Sequence, residues 1–146
     1  MVKFNDYYNE QRCMTRLLDD FLKHGNLVIA FDFDNTIYDY HKIGCAFNDV
    51  IYLLKECSEL GFTMVLFTAN EGKEKLEFCK EYCLKNGIRV DYINESPIMK
   101  TRKPYYNILL DDRAGLESAY KTLKAVVSNI KASIYESYKH KQRNRL

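Results

Sequence analysis

Apolar and polar positions fall into blocks along this chain, and the period changes from block to block. Residues 5–24 are largely polar, with Leu17, Leu18, Phe21 and Leu22 on one side of a helix that Gly25 ends. Leu27 to Phe33 is a short, β-rich run that is apolar as far as Phe31, the pattern of a buried strand. From Gly44 to Leu60, Phe47, Val50, Ile51, Leu54 and Cys57 recur at helical spacing, and Gly61 closes the segment. Phe62 to Phe67 reads as a second buried strand, Glu71 to Asn86 as a helix with Asn70 as its N-cap and Gly87 as its stop, and Ile88 to Ile93 as a third strand. A loop with two prolines spans Asn94 to Pro104, and Asn107 to Leu110 forms a fourth strand that runs into Asp111 and Asp112. Beyond Gly115 there is neither Gly nor Pro. Leu116, Tyr120, Leu123, Val127, Ile130 and Ile134 keep helical spacing there, so one long helix to about residue 140 is expected, with a short fifth strand at Ala125 to Ser128 as the alternative.

Strands that alternate with helices build a parallel sheet. Such sheets gather their ligands beyond the carboxyl ends of the strands. The first strand ends in Asp32, Phe33 and Asp34, the second in Thr68, and the fourth in Asp111 and Asp112, with Lys103 in the loop before it. These residue types suit a divalent cation and a phosphate. Carboxylates of Asp32 and of Asp111 or Asp112 are the oxygen ligands that Mg2+ prefers. An ionised Asp beside a cation is a nucleophile toward phosphorus, and Asp34 sits where it can protonate a leaving oxygen and then activate water. Thr68 offers a hydroxyl to a phosphate oxygen and Lys103 a balancing positive charge. Each element has an ordinary reading as well. Asp111 and Asp112 suit the start of the last helix, and a loop lysine is commonly just solvated. The order and the placement at strand ends set the combination apart.

Composition narrows the classes. The chain has 146 residues, 47% of them hydrophobic, with 12 Tyr and 8 Phe, enough for one packed domain and unlike a disordered chain. A net charge of +2 sets up no strong field toward nucleic acid or membrane. The segment Lys139 to Arg145 is basic, which reads first as a solvated helix end and second as a weak phosphate-backbone contact. The five cysteines contain no CxxC pair, so they read as small buried hydrophobes in a reducing compartment rather than as zinc ligands. No apolar signal core or membrane-length run is present, so a cytoplasmic protein with no membrane partner is expected.

The segments "DFDNT", "VLFTAN" and "RKPYYNILLDDR", in this order, resemble the haloacid dehalogenase (HAD) superfamily of phosphohydrolases over Leu27 to Leu116. The resemblance implies an α/β, Rossmann-like three-layer sandwich. Its parallel sheet would have four to five strands in the order 4-1-2-3, within a single domain over 1–146 that adds N- and C-terminal helices. It implies a Mg2+-dependent phosphomonoesterase with Asp32 as the nucleophile that forms an aspartyl-phosphate and Asp34 as general acid and base. Thr68 and Lys103 would partner the phosphate and the nucleophile, with Lys100 of the same loop in reserve. The metal would take a side-chain oxygen of Asp32, the backbone carbonyl of Asp34 and an acidic residue of the Asp111–Asp112 pair. Relatives with "DDR", such as the deoxyribonucleotidases, favour Asp112. Dehalogenases lack the acid at the Asp34 position, so its presence points to phosphatase chemistry. Asn35 stands where many relatives carry Gly, and Asn tolerates the left-handed turn.

Ten residues lie between Thr36 and Phe47, and one helix, one strand and a loop fill Thr68 to Asn107. Neither gap holds a cap domain, so an open cleft is expected. Thr36, Ala69, Asn70 and Arg113 are the substrate-binding candidates next to the motifs, and Tyr38, Tyr40, His41, Lys42 and Lys73 are further candidates around the cleft. The expected substrate is a nucleotide or other small phosphate ester. A nucleic-acid end, or a phosphoaccepting or binding module without turnover, is the alternative. The apolar faces of the terminal helices are expected to pack on the sheet, with a homo-oligomer contact as the second reading.

Overall fold

The computed structural model describes residues 7–145. Its elements are α1 (Glu10–His24), β1 (Val28–Asp32), α2 (Asn48–Glu59), β2 (Thr63–Phe67), α3 (Lys73–Lys85), β3 (Tyr92–Ile93), β4 (Ile108–Leu110) and α4 (Leu116–Asn144). The four strands form one all-parallel sheet in the order β3-β2-β1-β4, which is the expected 4-1-2-3 read from the other edge. The architecture is a Rossmann-like α/β fold with helices at both ends of the chain.

The core explains why β1 is so apolar. Ile29 and Phe31 point to one face and belong to a cluster with Met64, Leu66 and Leu110 of the neighbouring strands, Leu54 of α2, Cys83 of α3 and Leu123 of α4. Val28, Ala30 and Val65, on the alternate face, are buried too. A central strand covered on both faces needs apolar residues at every position, which is why no alternation appears in its sequence.

Several boundaries shift for identifiable reasons. The start of the expected first helix, residues 5 and 6, lies outside the described residues. Within them, the helix begins at Glu10 because the Asn9 side chain caps it by accepting from the Arg12 N–H. The expected Asn70 cap of α3 is corrected: Gly72 precedes the helix, and the Asn70 side chain turns instead to Thr68 and Asp34. The third strand keeps only Tyr92 and Ile93. Upstream of it, the Asp91 N–H still donates to the Met64 carbonyl at 2.9 Å, and side chains supply the other links. The Asp91 carboxylate accepts from the Met64 N–H at 2.8 Å, and Arg89 donates to the carbonyls of Ser58 and Phe62. The final segment is one continuous helix through Asn144, with no fifth strand at 125–128, because Leu123, Val126, Val127 and Ile130 form a buried helical stripe. All five cysteines are free, and Cys57, Cys79 and Cys83 are buried. Among the described residues no helix is long and apolar enough to cross a membrane.

Candidate active site

Strand register brings the acidic residues together. Phe31 of β1 is paired with Leu110 of β4, so Asp32 and Asp111 leave the sheet side by side. Asp32 itself is paired with Phe67 of β2, so Thr68 emerges one step further on the other flank. Carboxylate oxygens of Asp32, Asp111 and Asp112 lie within 4.8 Å of one another. Three like charges at that spacing are unfavourable without a cation. Burial, and then the Asp111 and Asp112 carboxylates, push Asp32 up from 3.8 to about 6, against hydrogen bonds from the Phe33 N–H and the Thr36 hydroxyl that lower it. The donor set is all oxygen and carries enough charge for a hard divalent cation, so Asp32, Asp111 and Asp112 fit Mg2+.

A tight turn places Asp34. The Phe33 carbonyl accepts from the N–H groups of Thr36, Ile37 and Tyr38, and the Asn35 N–H donates to the Tyr38 carbonyl at 2.8 Å. Asn35 takes φ 59°, the left-handed conformation expected of it. The turn also buries Thr36 completely beneath the acidic cluster. Its hydroxyl donates to Asp32 Oδ2 at 3.2 Å and accepts from the Asp112 N–H at 3.1 Å. Thr36, expected among the substrate-binding candidates, is therefore not on the cavity wall. It couples the end of β1 to the residue after β4.

On the other flank, Asn70 ties two motifs together. Its Nδ2 donates to Asp34 Oδ2 at 3.0 Å and to Thr68 Oγ1 at 2.8 Å, while its backbone N–H also donates to Thr68 Oγ1. With both lone pairs of that hydroxyl engaged, its proton is left to donate to an incoming oxyanion. The backbone of Thr68 is clamped from both sides by Asn94, whose Oδ1 accepts from the Thr68 N–H at 2.8 Å and whose Nδ2 donates to the Thr68 carbonyl at 3.0 Å. Asn94 adopts φ 54° to do this. In the sequence Asn94 is only the first loop residue after the third strand; an Asn there is compatible with the left-handed backbone but carries no sign of the contact with Thr68.

These groups line a cavity of about 1090 Å3 at the carboxyl ends of the strands. Asp32, Asp34, Thr68, Ala69, Asn70, Asp111, Asp112 and Arg113 are on its wall, as are Tyr38, Tyr40, His41 and Lys42. Lys103 and Lys100 are exposed in the 94–107 segment and neither lines the cavity. Lys73 is exposed and away from the wall as well, whereas Lys75, unremarked in the sequence, lines it. The cations around the cavity are thus Lys42, Lys75 and Arg113. Cys79 is on the wall too; burial and the charges of Asp34 and Asp32 push its thiol up to about 11, which disfavours the thiolate. The basic segment at the chain's end is remote from all of this. α4 starts at Leu116 beside the acidic cluster and runs for 29 residues, so its end is about 40 Å away.

Comparison with known proteins gives a likeness of fold. The chain is similar to a solved structure described as a conserved protein coded by a locus of Bacteroides thetaiotaomicron, with 26% identity and a TM-score of 0.54 over 68% of this chain and 91% of that one. No family model and no curated protein matches the chain.

Proposed function

We propose that this protein is a Mg2+-dependent phosphomonoesterase of the HAD type, acting through an aspartyl-phosphate on Asp32. The observation that carries the reading is the convergence of Asp32, Asp34, Thr68 and the Asp111–Asp112 pair on one cavity, with Asp34 and Thr68 joined through Asn70. Asp32 would attack phosphorus while the Thr68 hydroxyl donates to a non-bridging oxygen. Asp34 would protonate the departing alcohol, then take a proton from the water that releases phosphate and regenerates Asp32. Asp32, Asp111 and Asp112 would hold Mg2+, which when bound neutralises carboxylate and phosphoryl charge. Lys42, Lys75 and Arg113 supply positive charge around the cavity in this conformation.

The test is phosphate release from an activated aryl phosphate, with Mg2+ or EDTA, by wild type, Asp32→Asn and Asp34→Asn. Mg2+-dependent release that Asp32→Asn abolishes is expected. Equal release by wild type and Asp32→Asn would remove Asp32 as nucleophile. A phospho-enzyme that forms but does not turn over would favour the phosphoaccepting module.

A further inference from the structure

The cavity is far larger than a phosphate requires, and its walls are of two kinds. Besides the acidic cluster, the lining includes the aromatic residues Tyr38, Tyr40 and Phe78, with Lys42, Lys75 and Glu74 among the charged ones. At about 1090 Å3 the cavity reaches the upper end of the range that holds whole small molecules, so the group attached to the phosphate also has walls to meet.

Phe78 is one of the aromatic residues on this wall. It is 48% exposed, an unfavourable state for a phenylalanine. Yet its ring is firmly held, edge-on to Phe33 at 6.1 Å and 81° and to Tyr38 at 5.4 Å and 77°. Tyr82 packs on it as well, at 6.4 Å and 35°, and a ring held by neighbours with about half its surface open can stack against another flat ring. Lys75 is three residues earlier on α3, so both share one face of the helix, and both line the cavity.

Residues 39–44 bring a second aromatic and a second cation to the cavity. The Asp39 carboxylate accepts from the N–H groups of Ile43 and Gly44 at 3.3 and 2.8 Å, and its carbonyl accepts from the Lys42 N–H at 3.1 Å. Lys42 is held at φ 53°, which a long side chain rarely adopts. The braced loop sets Tyr40, 58% exposed, and Lys42 on the cavity wall.

From this arrangement we infer that the cleft selects nucleoside monophosphates over sugar phosphates, with Phe78 and Tyr40 as the surfaces that hold the base and Lys42 and Lys75 as the cations around it. The inference rests on the phosphatase reading for the position of the phosphate. A sugar phosphate leaves the aromatic surfaces wet. A nucleobase covers them, and stacking of one base on an aromatic side chain strengthens binding by about tenfold or more.

The test compares binding of adenosine 5′-monophosphate and ribose 5-phosphate to Asp34→Asn protein in Mg2+, by calorimetry. The two probes share the phosphate and the ribose and differ at the anomeric carbon, which carries the base in one and a hydroxyl in the other. Adenosine monophosphate should bind at least about tenfold more tightly. Adding Phe78→Leu or Tyr40→Ala should bring the ratio of the two affinities close to one, and Phe78→Trp should restore it; melting curves of each variant establish that it is folded. Equal affinities, a ratio unmoved by both substitutions, or no binding of either probe would overturn the inference. A 5′-phosphorylated oligonucleotide that binds more than tenfold tighter than the mononucleotide would overturn it in favour of nucleic-acid ends. The hydrolytic reading fails separately, by a base preference that persists in a wild-type protein with no Mg2+-dependent turnover.

Discussion

Replacing Asp32 by Asn should make the metal-free protein more stable at neutral pH while removing its response to Mg2+. The folded state raises the Asp32 carboxyl from 3.8 to about 6. A raised carboxyl pKa contributes stability that is fully present below the unfolded value and is lost as pH rises through the folded one. For Asp32 that window runs from about pH 4 to about pH 6, and at pH 7.5 the loss is complete. Two pKa units correspond to about 3 kcal/mol, and partial access of water reduces this to about 1–2 kcal/mol. Asn cannot ionise, its Oδ1 still accepts from the Thr36 hydroxyl, and its amide can donate to Asp111 or Asp112. At this chain length the gain is about 3–6 °C in melting temperature. The assay is thermal unfolding by circular dichroism at pH 7.5 and pH 4, in EDTA and in Mg2+. Asp32→Asn should melt above wild type in EDTA at pH 7.5, with the gap closing at pH 4. Mg2+ at about a hundred times its dissociation constant should stabilise wild type by about 2.7 kcal/mol and the variant by little. A variant that melts at or below wild type in EDTA at pH 7.5, or an equal Mg2+ response in both, would refute the view that these carboxylates form a cation site left electrostatically strained without its ion.

Mg2+ affinity itself should fall by up to tenfold per pH unit below about pH 6, as protons compete for Asp32; titration calorimetry across pH 5 to 8 checks this. Thr36→Val keeps the shape but removes the hydroxyl between Asp32 and the Asp112 N–H, and should cost about 1–3 kcal/mol in urea unfolding and weaken Mg2+ binding. Asn94→Gly keeps the left-handed backbone and loses both hydrogen bonds to Thr68, so it should cost about 1–2 kcal/mol; Asn94→Ala should cost roughly 1 kcal/mol more, and equal costs would argue against strain at φ 54°. Truncation after Ile134 removes a helix end that is exposed throughout, so the melting temperature should stay within about 2 °C of the full chain, and a larger fall would reveal a packing role for that end.

Local pattern was enough to place the polar residues of the candidate site at strand ends. The apolar run from Leu27 to Phe31 can only be a strand buried on both faces, and such a strand must deliver its first polar residue, Asp32, at its end. The same logic placed Thr68 and Asp111, and the uninterrupted helical spacing after Gly115 gave one long helix. What tertiary structure alone decided depends on contacts between segments distant in sequence. Nothing local indicates that Asn94 reaches 26 residues back to clamp Thr68, or that Asn70 turns from helix capping to join Thr68 and Asp34. Nor does local pattern tell which lysines reach the cavity. Lys75 does so because Cys79 and Cys83 anchor α3 and aim its neighbouring face at the strand ends, while Lys103, close to β4 in sequence, sits on an exposed loop away from the wall. Burial of apolar side chains is written in the period of the chain itself, whereas polar placement at a site follows from register and packing between elements, which no single segment encodes.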